Sequence, residues 1–196
     1  MAMSKKNEKN TKGKIIKAAW ELFYDVGYEN TTVEEIIEKS GTSKGSFYHY
    51  FEGKDALLGS LSYIFDEEYA RLQDSFPENM SSFDKLMYLN KELFSVIEDR
   101  IDIDLLTRLY STQLVTKGEK HLLDNKRLYY KLLKSIVIEG QKNREFTDEM
   151  SAGEIVKLYA MCERALIYDW CLCNGEYSLM SYAKRTMPVF LSAIRI

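Results

Sequence analysis

The segment "TSKGSFYHYFEGK", Thr42–Lys54, concentrates side chains that can form hydrogen bonds or stacking contacts outside a protein core. Phe47 and Phe51 are four residues apart, which suits one buried face of a helix. Six further residues do not share that face: Lys44, Gly45, Ser46, Tyr48, His49 and Tyr50. They offer cationic donors, hydroxyls and ring faces, which are the groups that contact bases and phosphates. The spacing therefore predicts a nucleic-acid surface, or alternatively an ordinary corner of a helical bundle.

Gly45 lies inside this predicted helix, where glycine costs roughly 1 kcal/mol relative to alanine. Its position is easier to explain if a phosphate or a base approaches the backbone closely. Lys44 and His49 are the candidates for base contacts, because lysine can donate to guanine O6 and N7 and neutral histidine can donate or accept. These three residues make the helix a candidate reader of a DNA groove.

No catalytic constellation accompanies this segment. His49 and His121 lie far apart, and no serine or cysteine motif pairs with either of them. Cys162, Cys171 and Cys173 crowd into one apolar segment, which indicates reduced thiols in a core rather than a disulfide framework or a metal cage. We therefore predict no enzyme activity, no metal and no cofactor, and we leave open a redox role for Cys171 and Cys173.

The elements that position these residues are helical. Only two prolines occur in the 196 residues, and apolar residues recur at steps of three and four almost everywhere. The pattern predicts an all-α fold with about nine helices. The predicted helices cover residues 11–26, 32–40, 43–51, 55–73, 83–99, 101–116, 121 or 125–143, 152–174 and 178–194.

Helix-boundary signals surround the segment. Thr32 and Glu35 form a capping-box pattern, Gly41 suits the turn that follows, and Ser43 can cap the next helix. Two helices joined by a short turn with glycine, after a packing helix, form a helix-turn-helix arrangement. The helix starts at Thr32 and Ser43 also present amide groups that suit phosphate.

The charge distribution is uneven. Residues 1–20 contain six lysines and one acid, although the whole chain has a net charge of −3. A basic arm of this kind can lie across phosphates, or it can simply be a solvated terminus. Glu34, Glu35 and Glu52 oppose DNA binding, so we expect strong sensitivity to salt. Because no run approaches the ~18 to 20 apolar residues of a membrane span, we expect a soluble, cytoplasmic protein.

The stretch "AAWELFYDVGYENTTVEEIIEKSGTSKGSFYHYFEGKDALL" closely resembles the N-terminal domain of the tetracycline-repressor (TetR) family of bacterial transcriptional regulators. The landmarks A-x-x-L-F, G-Y-x-x-T-T-V-x-x-I and G-x-S-K-G-S-F-Y-H-Y-F occur in order, followed by a lysine three residues later. The resemblance is strong over residues 14–58 and looser over residues 139–161.

This resemblance implies a helix-turn-helix DNA-binding domain at residues 1–58, including the basic arm, and a regulatory domain at residues 59–196. A helix from about residue 55 would link the two. The implied function is a repressor that binds a palindromic operator as a homodimer and is released by a small molecule. The alternative is an all-helical protein-interaction module, or a ligand-binding protein without ligand-controlled DNA release. The implied DNA-binding residues are Thr32, Ser43, Lys44, Gly45, Ser46, Tyr48, His49, Tyr50 and Lys54, with Thr32 and Lys54 on phosphates.

Aromatic and soft side chains in the later helices are candidates for a ligand cavity. They are Tyr88, Phe94, Leu106, Tyr110, Gln113, Tyr129, Tyr159, Cys162, Glu163 and Trp170. Each fits an ordinary core position at least as well. Glu163 and Asp169 stand in otherwise apolar helical sequence, which suits either a cationic ligand or a carboxylate paired with a residue such as Arg164. We expect an aromatic or cationic effector.

Dimerisation through the last two predicted helices has a geometric reason. One short helix reads too few base pairs, whereas a two-fold dimer sets two such helices ~34 to 36 Å apart on successive major grooves. The candidate surface residues are Leu179, Tyr182, Met187, Phe190, Leu191 and Ile194. These residues suit a protein core equally well.

Overall fold

A computed structural model describes residues 2–115, 117 and 120–196, with the backbone alone at residues 2–10, 63, 64 and 67. The side chains of Lys5, Lys6 and Lys9, half of the predicted basic arm, lie outside this description. The chain divides into two compact units, Met1–Leu61 and Ser62–Ile196. The regular elements described are all helices, apart from one isolated bridge between Phe146 and Arg195. The all-α prediction is confirmed.

The first unit packs three short helices around one long helix. Its helices are α1 (Ala2–Asp25), α2 (Val33–Ser40), α3 (Lys44–Tyr50) and α4 (Lys54–Leu58). Helix α1 contacts both α2 and α3, and α2 contacts α3. The core contains Ile15, Phe23, Ile36, Phe47 and Leu57. The apolar residues spaced by three and four along each helix thus meet in a single cluster.

The predicted helix at residues 55–73 is wrong, because the chain breaks it at Ser60. Helix α4 ends at Leu58, and α5 (Leu61–Gln73) begins after a tight turn. The Ser60 amide donates to the Leu57 carbonyl at 2.9 Å, and its hydroxyl accepts a hydrogen bond from the Trp20 indole at 2.8 Å. A serine that bonds locally and to a distant tryptophan competes with the helical ladder. Sequence periodicity carries no signal for that tertiary contact.

The second unit is a bundle centred on one helix with apolar residues on more than one side. Its helices after α5 are α6 (Ser82–Arg100), α7 (Ile103–Val115), α8 (Leu128–Lys142), α9 (Ala152–Leu172) and α10 (Leu179–Leu191). Short 3-10 turns cover His121–Leu123 and Ser192–Ile194. Helix α9 contacts α7, α8 and α10, and α10 also contacts α6. The described part of the chain therefore has ten α-helices, one more than predicted because of the break at Ser60.

Local hydrogen bonds set two boundaries in this unit. Asp102 accepts from the Asp104 amide at 2.9 Å and the Leu105 amide at 3.2 Å, so it serves the start of α7. Ser151 and Glu154 form the capping box of α9, with both reciprocal bonds present. Such bonds satisfy amide groups that have no partner within the helix.

The apolar residues of the last two elements divide between core and surface. Leu179, Met187, Leu191 and Ile194 are fully buried, so these four candidates for a dimer surface belong to the core. Tyr182 and Phe190 are 39% and 44% exposed, and Val189 is more exposed still. No helix in the described ranges combines the length and the apolar character that crossing a membrane requires.

Candidate nucleic-acid interface and ligand cavities

Helix α3 is held by a cap at its start and by two buried phenylalanine rings. Ser43 caps the helix, and its hydroxyl accepts a hydrogen bond from the Ser46 amide at 3.1 Å. Phe47 is completely buried, and Phe51 is 6% exposed at the end of the helix. Their rings lie 5.9 Å apart. These anchors fix which side of α3 faces outward.

The outward side carries the residues that the sequence predicts for DNA contact. Lys44, Gly45, Tyr48 and His49 are exposed, and Ser46 and Tyr50 are half-buried. The His49 and Tyr50 rings form an edge-on pair at 4.8 Å. The structure therefore brings these side chains together on one short helix. Their contact with DNA stays a prediction.

Glycine occupies two positions of the helix-turn-helix, 41 and 45, for different structural reasons. Gly41 ends α2 in the left-handed conformation, with φ of 62°, and its amide donates to the carbonyls of α2. Gly45 is helical, and a Cβ there would meet only the Ser43 hydroxyl, at 3.9 Å. The backbone conformation therefore requires glycine at position 41, whereas neither conformation nor packing requires it at position 45. Close approach of another molecule is a remaining explanation for Gly45.

Thr32 caps α2 through a closed pair of bonds with Glu35. The Glu35 amide donates to the Thr32 hydroxyl at 3.2 Å, and the Glu35 carboxylate accepts from the Thr32 amide and hydroxyl at 2.7 and 2.8 Å. These bonds hold the pKa of Glu35 below its usual range. A phosphate at Thr32 must therefore replace the carboxylate of Glu35.

Lys54 is committed to the backbone of its own unit. Its ammonium donates to the carbonyls of Tyr28 at 2.6 Å, Thr31 at 2.9 Å and Glu29 at 3.4 Å, and it lies 4.3 Å from the centre of the Tyr28 ring. An ammonium has three N–H donors, so all three are occupied. In this structure Lys54 joins the start of α4 to the turn before α2 and has no donor left for a phosphate.

Lys44 is available in a way that Lys54 is not. Its ammonium lies 3.8 Å from the Glu34 carboxylate, and both side chains are more than 70% exposed. Surface pairs of this kind contribute about 0 to 1 kcal/mol, so DNA can displace Glu34 at little cost. The two lysines that the sequence assigns to DNA therefore have different surroundings.

A buried carboxylate lies at the centre of the second unit. Glu163 on α9 is 4% exposed and accepts hydrogen bonds from Asn90 at 2.9 Å and from the Tyr129 hydroxyl at 2.6 Å. Burial raises the pKa of Glu163, although its hydrogen bonds and the charge of Arg164 act in the opposite direction. Two donors already satisfy this group, which weakens the interpretation of Glu163 as a partner for a cationic ligand.

Three cavities adjoin α9. A small interior cavity of about 60 Å³ touches Glu163, one of about 370 Å³ opens between α7 and α9, and one of about 360 Å³ lies against the first half of α9 and the start of α8. The small one has room for about two waters. The two larger ones lie within the roughly 300 to 1,000 Å³ of ligand pockets.

The ligand candidates from sequence fall into two groups. Leu106, Tyr110, Tyr129 and Glu163 line the interior cavity, and Tyr110 and Gln113 line the 370 Å³ cavity. None of these three cavities is lined by Tyr88, Phe94, Tyr159, Cys162 or Trp170. A ligand role for any of the ten residues stays a prediction.

The candidates outside the cavities have structural partners. The Tyr159 hydroxyl donates to the Leu86 carbonyl and the Trp170 indole to the Tyr177 carbonyl, each at 2.8 Å. Asp169 is exposed and accepts from the Tyr177 hydroxyl at 2.9 Å. Their aromatic or acidic character therefore has a local explanation.

Sequence reasoning missed the cationic lining of the cavities. Lys120 borders the 370 Å³ cavity, Lys157 borders the 360 Å³ cavity, and Arg164 borders all three. The signal was present on α9, because Gly153, Lys157, Ala160 and Arg164 recur at steps of three and four. From the sequence, Arg164 is a candidate only as a partner for a carboxylate.

The three cysteines are not paired with one another. Cys162, Cys171 and Cys173 are free thiols, and the first two are buried. Burial raises the pKa of the Cys162 and Cys171 thiols, which makes them less reactive. Within the described ranges, no group of three or more His, Cys, Asp or Glu side chains is suited to a metal ion.

The capped helices α2 and α3, the turn at Gly41 and the outward polar side of α3 define the first unit as a helix-turn-helix DNA-binding module. Residues 15–61 match the family described as bacterial regulatory proteins, tetR family, and residues 65–193 match the YsiA-like protein, C-terminal region. The chain belongs to the TetR family of bacterial transcriptional regulators. The resemblance predicted from sequence is confirmed, and the protein is a regulator, not an enzyme.

Relatives and solved structures support the same assignment over most of the chain. The regulator QacR of Staphylococcus aureus is 31% identical over 146 residues, covering 70% of this chain and 74% of QacR. The fatty acid metabolism regulator protein of Bacillus subtilis is 22% identical over 184 residues, covering 92% and 93%. FadR of Thermus thermophilus, solved with lauroyl-CoA, has the same fold, with a TM-score of 0.72, 19% identity and coverage of 94% and 95%.

Proposed function

We propose that this regulator is a homodimeric cytoplasmic repressor that binds a palindromic operator and leaves it when a small molecule binds the C-terminal region. Residues 1–58 would bind DNA and residues 59–196 would bind the ligand and the second subunit. The observation that carries the DNA-binding part is the outward side of α3, where Lys44, Tyr48 and His49 are exposed while Phe47 is buried.

Helix α3 supports a groove-reading role by its length and composition. With seven residues it spans about two turns, which suits one half-site. Lys44 and His49 would contact bases, and Tyr48 and Tyr50 would contact the backbone or stack. Thr32 would contact phosphate through the start of α2, in exchange for its bonds to Glu35.

Exposed apolar side chains support dimerisation through the last two helices. On α10, Tyr182, Val189 and Phe190 share one face at helical spacing, and Leu172 is 63% exposed near the end of α9. Apolar groups gathered on a surface commonly mark a protein interface. A two-fold dimer would also supply the second recognition helix that one half-site lacks.

The cavities of the second unit support a ligand. The sequence suggests an aromatic or cationic effector, whereas the Thermus thermophilus relative was solved with lauroyl-CoA. A ligand that binds the non-DNA-binding state better by about 1 to 3 kcal/mol would release the operator. Both chemical classes are therefore candidates for this chain.

Gel shift and footprinting on the DNA flanking the gene test the proposal, with Lys44→Met and Lys54→Met as a matched pair. We expect Lys44→Met to weaken the footprinted site, change base preference and leave folding stability unchanged. Lys54→Met should lower stability by about 1 to 3 kcal/mol, because three backbone carbonyls lose their donor. The dependence of DNA affinity on salt should keep the wild-type slope in Lys54→Met. Loss of one phosphate contact would reduce that slope by about 1, and we expect Lys54 to make none.

Two results would contradict this proposal. Absence of any protected site would remove operator binding by this chain. A Lys54→Met protein with wild-type stability and a smaller salt slope would return Lys54 to the phosphate-contacting role that the sequence predicts.

A further inference from the structure

Arg164 occupies a position that no other described residue shares, since it alone lines all three of the cavities beside α9. Its side chain is half-buried, and one guanidinium nitrogen donates to the Tyr130 hydroxyl at 3.2 Å. Among the described residues Arg164 forms no ion pair, although its charge acts on the Glu163 carboxylate, which lines the interior cavity with it. A guanidinium has five N–H donors, so most of them are left for another partner.

The walls of the two larger cavities beside Arg164 combine cationic and apolar groups. The 370 Å³ cavity is mostly apolar, with Leu114, Leu122, Met161 and Tyr168 among its lining residues. The 360 Å³ cavity is more polar and adds Lys157. Neither of these two cavities is lined by Asp or Glu. A ligand in the 370 Å³ cavity would therefore meet Arg164 and Lys120 in a mostly apolar lining.

We propose that Arg164 anchors the anionic group of an amphipathic effector whose apolar part lies in the 370 Å³ cavity. This inference rests on the proposed function, because it names the chemical class of the ligand that would release DNA. Arginine suits the role because its planar fork binds carboxylate or phosphate through two parallel hydrogen bonds.

A cationic effector fits the same place less well. Its nearest acid, Glu163, already accepts bonds from Asn90 and Tyr129 and lies on the wall of the 60 Å³ cavity, not of the larger two. A cation in either larger cavity would face Arg164 and a lysine, and like charges at short range repel. The geometry thus reverses the charge that we expected from the sequence.

The anion can come from a fatty acid carboxylate or from the phosphates of an acyl-CoA. Isothermal titration of the full-length protein with laurate, lauroyl-CoA, CoA without a chain, and dodecyltrimethylammonium separates these sources. The proteins compared are wild type, Arg164→Gln, Arg164→Lys and Lys134→Gln. Lys134 is exposed on α8 and lines none of the three cavities, so its substitution controls for the loss of one charge.

We expect laurate, lauroyl-CoA or both to bind wild type and Lys134→Gln equally. Arg164→Gln should weaken that binding by about tenfold or more, since a hydrogen bond to a charged group is worth about 1.5 to 3 kcal/mol. Arg164→Lys keeps the charge but loses the fork, so we expect a smaller loss of about threefold. CoA alone should bind at least about tenfold more weakly than lauroyl-CoA, because it leaves the apolar cavity unfilled.

Unchanged affinity in Arg164→Gln, tighter binding of the cationic amphiphile, or no binding of either anionic amphiphile would overturn the proposal. Thermal melting verifies that the variants fold, and Arg164→Lys provides the test if Arg164→Gln does not. Gel shift without ligand separates this result from the proposed function. Arg164→Gln should retain operator binding, whereas a wild type that binds the amphiphile but no DNA would refute only the repressor role.

Discussion

The polar groups that matter most differ in burial between the two units, being exposed on α3 in the first unit and enclosed by the apolar core in the second. In the first unit, Phe47 is fully buried and its neighbour Tyr48 is 48% exposed. In the second, Glu163 lies in the core with Asn90 and Tyr129 as its donors. Polar groups on a surface can change with little effect on folding, whereas a buried polar group that loses its hydrogen-bond partner lowers stability. Binding and stability should therefore be separable in the first unit and coupled in the second.

The largest loss of folding stability should come from Phe47→Ala, and Tyr48→Ala is its matched comparison on the exposed side of the helix. Loss of a buried phenylalanine costs about 3 to 5 kcal/mol, which should unfold the first unit or nearly so. Tyr48→Ala removes an exposed ring that contacts Phe47 edge-on at 5.3 Å, so its cost should stay below about 1.5 kcal/mol. Urea denaturation followed by circular dichroism measures both, and gel shift should show weaker DNA binding by the folded Tyr48→Ala protein. Similar stability losses in the two variants would remove the separation of core and surface.

An intermediate loss of folding stability should come from Tyr129→Phe, with Tyr69→Phe as its matched comparison. The first substitution takes one of two donors from the Glu163 carboxylate and should cost about 1 to 3 kcal/mol. Tyr69 also lines the interior cavity, yet its hydroxyl has no hydrogen-bond partner among the described residues. Loss of the Tyr69 hydroxyl should not lower the free energy of unfolding, because it removes a buried polar group and no hydrogen bond. Equal values from urea denaturation would show that the polar core does not stabilise the second unit.

The smallest effect on stability should come from Gly45→Ala, and it should be favourable. Alanine stabilises a helix interior by about 0.5 to 1 kcal/mol, and its Cβ would meet only the Ser43 hydroxyl, at 3.9 Å. DNA affinity should nevertheless fall, because the new methyl group occupies the side of α3 that we propose faces DNA. Thermal melting and gel shift on one preparation test this opposition. If affinity is unchanged, Gly45 has no role in close approach.

Local signals in the sequence predicted the first unit well. The capping pair Thr32 and Glu35, the turn at Gly41 and the cap at Ser43 all depend on residues within a few positions of each other. Such interactions form wherever the backbone is helical, so their spacing is visible in the chain. The buried position of Phe47 follows from the same helical spacing.

Contacts between distant residues explain what the sequence did not reveal. The helix break at Ser60 depends on Trp20, forty positions earlier. The carbonyl partners of Lys54 lie more than twenty positions away in the turn before α2. In the sequence, Ser60 and Lys54 look like an ordinary helix residue and an ordinary surface residue. Their roles become visible only from the distant residues that they contact in the fold.

The cavities beside α9 were even harder to predict from the sequence. Helical periodicity identifies the faces of α9, but it does not distinguish a filled core from a cavity wall. Tyr110 lines two cavities, whereas Trp170 has a backbone partner and lines none of the three, although both are apolar aromatics in helices. Packing density depends on volumes contributed by several helices, which no single segment encodes.

The sequence by itself determined the all-α class, the helix-turn-helix, the outward side of α3 and the TetR family, because each rests on short-range spacing or an ordered motif. The tertiary structure decided which polar groups remain available. It occupied Lys54 with carbonyls, satisfied Glu163 with Asn90 and Tyr129, and left Arg164 half-buried without a carboxylate partner among the described residues. Availability depends on the full set of neighbours around a side chain, and only folding assembles that set.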